Sequence, residues 1–200
     1  MLTVRGAATR QRIVEAAAAE IREHGAVATR LEDVGKRSAT GKGQMFHYFP
    51  DGKEQLLLAV AEFEAGRVLE DQEPHLSALD SWDAWSAWQA AVVDRYRRLG
   101  PNCPLGMLLT EVGKHTPAAR AITVRLLEAW EAALCRGITT MQAAGEIRPG
   151  VDPRETAAAL VAAIQGGVVV LMATGRSRHL EAALDVILTS LGAPTRALTA

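Results

Sequence analysis

The densest run of side chains able to do recognition chemistry is KGQMFHY, Lys42 to Tyr48. Read as a helix, it turns Lys42, Gly43, Gln44 and His47 outward, while Met45 and Phe49, four residues apart, form an apolar underside. Lys42 can donate to guanine O6 or N7, and Gln44 can pair bidentately with adenine. His47 and Tyr48 suit sugar and phosphate, and Gly43 lets a backbone approach closely. Seven residues at ~1.5 Å each make a rod of about 10 Å, which fits a major groove about 12 Å wide. The chemistry implied is non-covalent reading of a nucleic-acid duplex.

Such a rod needs elements that hold it, and the flanking sequence supplies them. Thr29 and Glu32 have capping-box spacing, which predicts a helix from near Arg30 with Leu31 and Val34 on its apolar side. Ser38, Ala39, Thr40 and Gly41 break that helix before Lys42 restarts it. The pattern is helix, turn, helix. Pro50, Asp51 and Gly52 force a second turn, and Lys53 falls in the first turn of the next helix, where free amides and its own charge could meet a phosphate. Thr29, Lys42, Gly43, Gln44, His47, Tyr48 and Lys53 are therefore the candidate DNA contacts.

KGQMFHYFPDGKEQLLLAV, Lys42 to Val60, resembles the recognition helix and following helix of TetR-type transcriptional regulators. Lys42, Gly43, Met45, Phe46, His47, Tyr48, Phe49, Lys53 and Glu54 carry the likeness. LEDV, Leu31 to Val34, and the stretch from Thr9 to Gly25 are similar to the elements that precede that helix in the family. Ala39 in place of the family's turn glycine, Gly41 in place of a small hydroxyl cap, Phe46 in place of a tyrosine and an extra Gly52 depart from it, so no operator sequence transfers. The resemblance implies a three-helix head, a helical body that binds a small-molecule effector, a homodimer joined by a four-helix bundle, and repression at a palindromic operator.

Composition agrees with an all-α chain. Hydrophobic residues make up 48% of 200, enough for a buried core, and the 17 glycines and 8 prolines fall mainly at boundaries. Residues 1–53 hold nine Lys or Arg against six acids, a charge of +3 within a total of −1, so the remainder carries −4. Two cysteines give no disulfide framework, and the absence of a charged-then-apolar leader before Thr9 points to the cytoplasm. The apolar run 157–173 is interrupted by Gln165, Gly166 and Gly167 and is shorter than the ~20 residues of a membrane span.

Taken in order, the chain predicts about nine helices, with a head over 1–53 and a ligand-binding and dimerisation body over 54–200. Residues 1–8 read either as an arm whose Arg5 could reach phosphate or as an ordinary disordered end, and Thr9 as the cap of a helix with Ile13, Ala17 and Ile21 inward, ending at Gly25. Asp80 or Ser81 caps a helix in which Trp82, Trp85 and Trp88 recur every three residues. That stripe fits either a ligand pocket or core packing. Cys103 to Thr116 reads as a short helix, and Cys103 as either a thiol sensor or inert packing. Pro117 to Ala144 is one long helix with Ile122, Leu126, Trp130, Leu134, Ile138 and Met141 inward. Asp152 with Pro153 starts the next, and a last helix runs from about Ser177 to Leu191.

The candidate effector pocket is walled by Trp85, Trp88, Cys103, Met107, Trp130 and Met141, with Gln165 as a polar handle. Gly166, Gly167, Val170, Leu184, Ile187 and Leu188 are the candidate dimer interface, because residues 154–173 are apolar nearly all round. No nucleophile and base are motif-spaced among His75, His115, Cys103 and the acids, and no cluster has metal-ligand spacing, so no catalytic, metal or cofactor site is expected. The competing reading is a helical adaptor or small-molecule-binding protein without DNA function.

Overall fold

The computed structural model describes residues 3–100 and 117–193. Among these the chain is all helical: α1 Val4–His24, α2 Leu31–Arg37, α3 Lys42–Tyr48, α4 Lys53–Glu70, α5 Trp82–Leu99, α6 Pro117–Ala143, α7 Pro153–Thr174 and α8 Arg178–Leu191. They divide into two compact units, one holding 3–67 with 117–124 and the other 68–100 with 125–193. The short helix expected over Cys103 to Thr116, with Cys103 and Met107, lies outside the described residues.

The first unit is built on the period of α1, which buries Ile13, Ala17 and Ile21 along one face. Its start differs from expectation. Thr3, not Thr9, is the cap, its hydroxyl accepting from the Gly6 amide at 3.1 Å, so residues 4–8 and Arg5 are helical rather than a free arm. Thr9 sits inside the helix and donates back to the Arg5 carbonyl at 3.1 Å. The end is as expected: Gly25 takes a φ of +83°, where a side chain would be strained. The capping box at Thr29 does not form. The Thr29 hydroxyl donates instead to the Gly25 carbonyl at 2.8 Å, closing the turn after α1, and Arg30 stands at the cap of α2 with no side-chain bond.

In the second unit the expected caps form. Ser81 accepts from the Ala84 amide at 3.3 Å to start α5, and Asp152 accepts from the Arg154 and Glu155 amides at 2.8 and 3.2 Å to start α7. Helix α6 buries Leu126, Trp130, Leu134, Ile138 and Met141 on one side. At Gly137 an added Cβ would fall 2.6 Å from the Leu79 Cβ, so that glycine admits the close approach of Leu79 from the segment before α5. The Gln142 amide ties the following turn by donating to the Val151 carbonyl at 2.8 Å.

Helix α7 is 22 residues, longer than the apolar run suggested, and by length and composition alone it could cross a membrane. Its partner within the unit is α8. A Cβ on Gly167 would lie 2.6 Å from the Leu180 Cα and 2.7 Å from its Cβ, so the close approach this glycine permits is to its own chain's α8. Leu184 and Leu188 are likewise buried within the chain, and Val170 and Ile187 are half-buried. The faces left open carry Gly166, Val169, 57% exposed, and Val186, 70% exposed. Gly167→Ala should therefore destabilise the protomer by about 1 to 3 kcal/mol through overpacking, whereas Gly166→Ala should not. Urea unfolding of the two variants checks this; equal midpoints would remove the close α7–α8 contact.

Candidate nucleic-acid interface

Helix α3 lies with its apolar side inward and its polar side open. Met45 and Phe49 are buried, and the Arg10 guanidinium covers the Phe49 ring 5.2 Å from its centroid. Lys42, Gly43, Gln44, Phe46 and His47 are exposed, and Tyr48 is half-buried with its ring edge-on to His47 at 5.0 Å. Nothing lies within 4 Å of where a Cβ on Gly43 would stand. The structure thus brings Lys42, Gly43, Gln44 and His47 to one open surface. Thr29 is not part of it, being buried with its hydroxyl engaged, and Lys53 is half-buried, its Nζ donating to the Val27 carbonyl at 3.0 Å.

What sets the angle of α3 is the turn before it. Gly35 lets the chain fold back so tightly that an added Cβ would sit 2.9 Å from the Thr40 carbonyl oxygen, and the Thr40 amide bonds the Gly35 carbonyl at 2.8 Å. The Ser38 hydroxyl donates to the Val34 carbonyl at 2.7 Å, and Arg12 on α1 donates from Nε to the Ser38 carbonyl at 2.9 Å. Ala39 holds a φ of +50°, a conformation that glycine takes at lower cost. Along α2 and α3 runs a groove of about 600 Å³ lined in part by Glu32, Lys36, Thr40, Lys42 and Phe46.

Helix α2 is fastened to α1 by charge. Arg37 donates to Glu20 at 2.6 Å and forks onto Glu23, one arm at 2.9 Å. Glu23 is held below the usual carboxylate range, first by the hydrogen bond from Arg37 against a smaller desolvation, and further by the charges of Arg37, His24 and Arg22. Arg37 is pushed up from its ordinary value by the hydrogen bonds to Glu23 and Glu20. Arg22 on α1 also reaches the buried Glu64 of α4 at 3.2 Å. Arg12, Gly35 and Arg37 were not singled out in the sequence. An arginine followed by acids at helical spacing is common on solvated faces, and only the fold reveals which acids it meets.

The candidate ligand residues of the second unit are deeply placed. Trp85 and Trp88 pack edge to face at 5.5 Å, and both, with Trp130 and Met141, are buried. Trp88 Nε1 donates to Gln72 at 2.8 Å, whereas Trp85 Nε1, Trp130 Nε1 and Gln165 Nε2 are buried without partners. Among the described residues no group of three or more His, Cys, Asp or Glu is arranged to hold a metal ion.

A short exposed helix set across a tight turn from its predecessor defines a helix-turn-helix protein in class. The family model described as bacterial regulatory proteins, tetR family, matches residues 13–60, and that described as the tetracyclin repressor-like C-terminal domain matches 81–187. The chain belongs to the TetR family of DNA-binding transcriptional regulators. An uncharacterised HTH-type transcriptional regulator of Mycobacterium tuberculosis is 32% identical over 124 residues, 58% of this chain and 59% of the relative's length. A TetR transcriptional regulator from Chloroflexus aurantiacus superposes with a TM-score of 0.77 at 26% identity, covering 94% of this chain and 96% of that one. One from Cytophaga hutchinsonii, at 22% identity, shares the fold with a TM-score of 0.80 over 96% and 98% of the two chains.

Because folding lowers the Glu23 pKa, the stability it adds is complete above the carboxylate's unfolded value and is lost as pH falls through the folded one. Arg37→Gln should therefore be less stable than the parent at neutral pH, and the gap should close on acidification below the carboxylate range. Urea midpoints at pH 7 and about pH 3 measure it; a gap independent of pH would assign the effect of Arg37 to packing alone.

Proposed function

We propose that this chain is an effector-responsive transcriptional repressor that binds a palindromic operator as a homodimer. The observation that carries the reading is the surface of α3, where Lys42, Gly43, Gln44 and His47 stand open together above a buried Met45 and Phe49. Lys42 and Gln44 read base edges in the major groove. His47 and Tyr48 contact the backbone, and Lys53, already bonded to Val27, has further donors for a phosphate. Thr29 serves the turn rather than the DNA. The division of labour is a reading head over 1–53 and a body over 54–200 that binds effector and dimerises.

A single helix-turn-helix reads paired half-sites through a two-fold partner, with the two recognition helices about 34 Å or a multiple of it apart. The surface that meets this need is the open apolar face of Gly166, Val169 and Val170 on α7 with Val186 and Ile187 on α8, rather than Gly167, Leu184 and Leu188, which their own chain covers. An effector that prefers the wrong spacing of the two helices releases the operator. About 1 to 3 kcal/mol of such preference weakens DNA binding roughly 5 to 150-fold, and operator weakens effector by the same factor.

Selection of bound duplexes from a random pool supplies the operator, and binding of variants to it tests the head. Lys42→Ala and Gln44→Ala should each cost about 1 to 3 kcal/mol and relax preference at particular base pairs. Parental binding by both variants would move the reading surface elsewhere on the protein. For the dimer, Val169→Glu with Val186→Glu should shift sedimentation at micromolar concentration towards the monomer and weaken operator binding with it. A parent that sediments as a monomer while holding operator tightly would rule the dimer out.

A further inference from the structure

Arg95, on the buried face of α5, is 3% exposed. Its Nη1 donates to Asp71 Oδ2, but Nε and Nη2 are buried with no partner. These two nitrogens are the side of the guanidinium that presents parallel N–H groups, the fork that receives both oxygens of a carboxylate. A buried cation with two unmet donors is costly, because each loses its water without replacement. Asp71 does not remove that cost. Its side chain is 29% exposed, and its Oδ2 accepts from Nη1, at the opposite end of the guanidinium.

The surroundings narrow the chemistry. Trp88, Val92 and Arg95 follow one another on the buried face of α5, and Gln72, next to Asp71, already satisfies Trp88 Nε1 at 2.8 Å. The 71–72 segment therefore serves Trp88 and Nη1 and leaves the fork bare. Across the described residues every buried side-chain polar atom without a partner is a donor: Arg95 Nε and Nη2, Trp85 Nε1, Trp130 Nε1 and Gln165 Nε2. All belong to the second unit. What this unit leaves over is donors, and a ligand that completes it brings acceptors.

We propose that the effector is an apolar carboxylic acid bound as its carboxylate, with its two oxygens on Arg95 Nε and Nη2; the assignment rests on the effector-responsive reading above. A neutral amide has one good acceptor and adds donors to a site already rich in them. A phosphate monoester is bulkier and brings more negative charge beside Asp71 than one guanidinium balances. The rest of the ligand is apolar because Arg95 shares the buried face of α5 with Trp88 and Val92 and its guanidinium lies 5.9 Å from the centroid of the Tyr96 ring.

The test uses the full chain without DNA, titrated calorimetrically with decanoate and 2-naphthoate and with their primary amides. The acids should bind at least about tenfold more tightly than the amides, the scale of a hydrogen bond to a charged group. Arg95→Lys, which keeps the charge but not the fork, should lose most of that preference, as should Arg95→Met combined with Asp71→Asn, which leaves no unpaired charge. Helical melting curves check that the variants fold, and the acid–amide comparison on the parent stands without them. Equal affinity for acids and amides, no binding of either acid, or a preference unchanged in Arg95→Lys would overturn the assignment. Operator retention is measured separately. Operator binding without acid binding removes only the acid site, whereas acid binding without any DNA binding removes the regulator reading and leaves the acid site standing.

Discussion

The reading head depends on one steric constraint, the approach of Gly35 to the Thr40 carbonyl. Any side chain at 35 would collide with that oxygen, and the bond from the Thr40 amide to the Gly35 carbonyl would open with it. From this contact the rest of the head follows. The turn is closed by the Ser38 and Thr40 hydroxyls and by Arg12, Met45 and Phe49 then fall inward, and the polar side of α3 is left facing out. Ala39 bears the cost of a left-handed backbone in the same turn, and several independent bonds hold it there. Rotation of α3 is thereby limited, which is what recognition of base edges needs, since hydrogen bonds to a groove fail over small displacements.

The head adds ion pairs to an apolar core that includes Ile13, Ile21, Met45 and Phe49, and the second unit relies on a close contact between helices. Arg37 and Arg22 tie α2 and α4 to α1 through carboxylates, and the exposed part of that clamp weakens with acid and with salt. In the second unit α7 and α8 meet through Gly167 and Leu180, and Trp85, Trp88 and Trp130 are among the largest fully buried side chains. Buried polar residues there are few. Where they occur, as at Trp88 with Gln72 and Arg95 with Asp71, they are specific and deeply placed, so any unmet donor is chemically conspicuous. Selectivity for a ligand in such a unit comes from which donors remain bare more than from apolar walls, which accept many shapes.

Helix existence and inward faces were legible in the sequence because both follow from local chemistry. Periodicity marked Ile13, Ala17 and Ile21 on α1 and Leu126 to Met141 on α6, and cap residues marked the starts at Ser81 and Asp152 and the end at Gly25. The exposed face of α3 was legible for the same reason. Local rules failed where a side chain had two possible partners. Thr29 could cap α2 or close the turn after α1, and the nearby Gly25 carbonyl took its hydroxyl; Thr9 and Thr3 competed as caps, and the upstream threonine prevailed because Ala7 and Ala8 let the helix extend.

The sequence by itself determined an all-α chain, the helix-turn-helix, its outward residues and the buried stripe of each long helix, since each depends on neighbours within a few positions. Only the tertiary structure decided what meets what across distance. It placed Gly167 against its own chain's α8, joined Arg37 to Glu20 and Glu23, and left the Arg95 fork without an acceptor. Partnership of this kind is set by how helices far apart in sequence come together, and a residue's identity states what it can bond to without stating which group will be there.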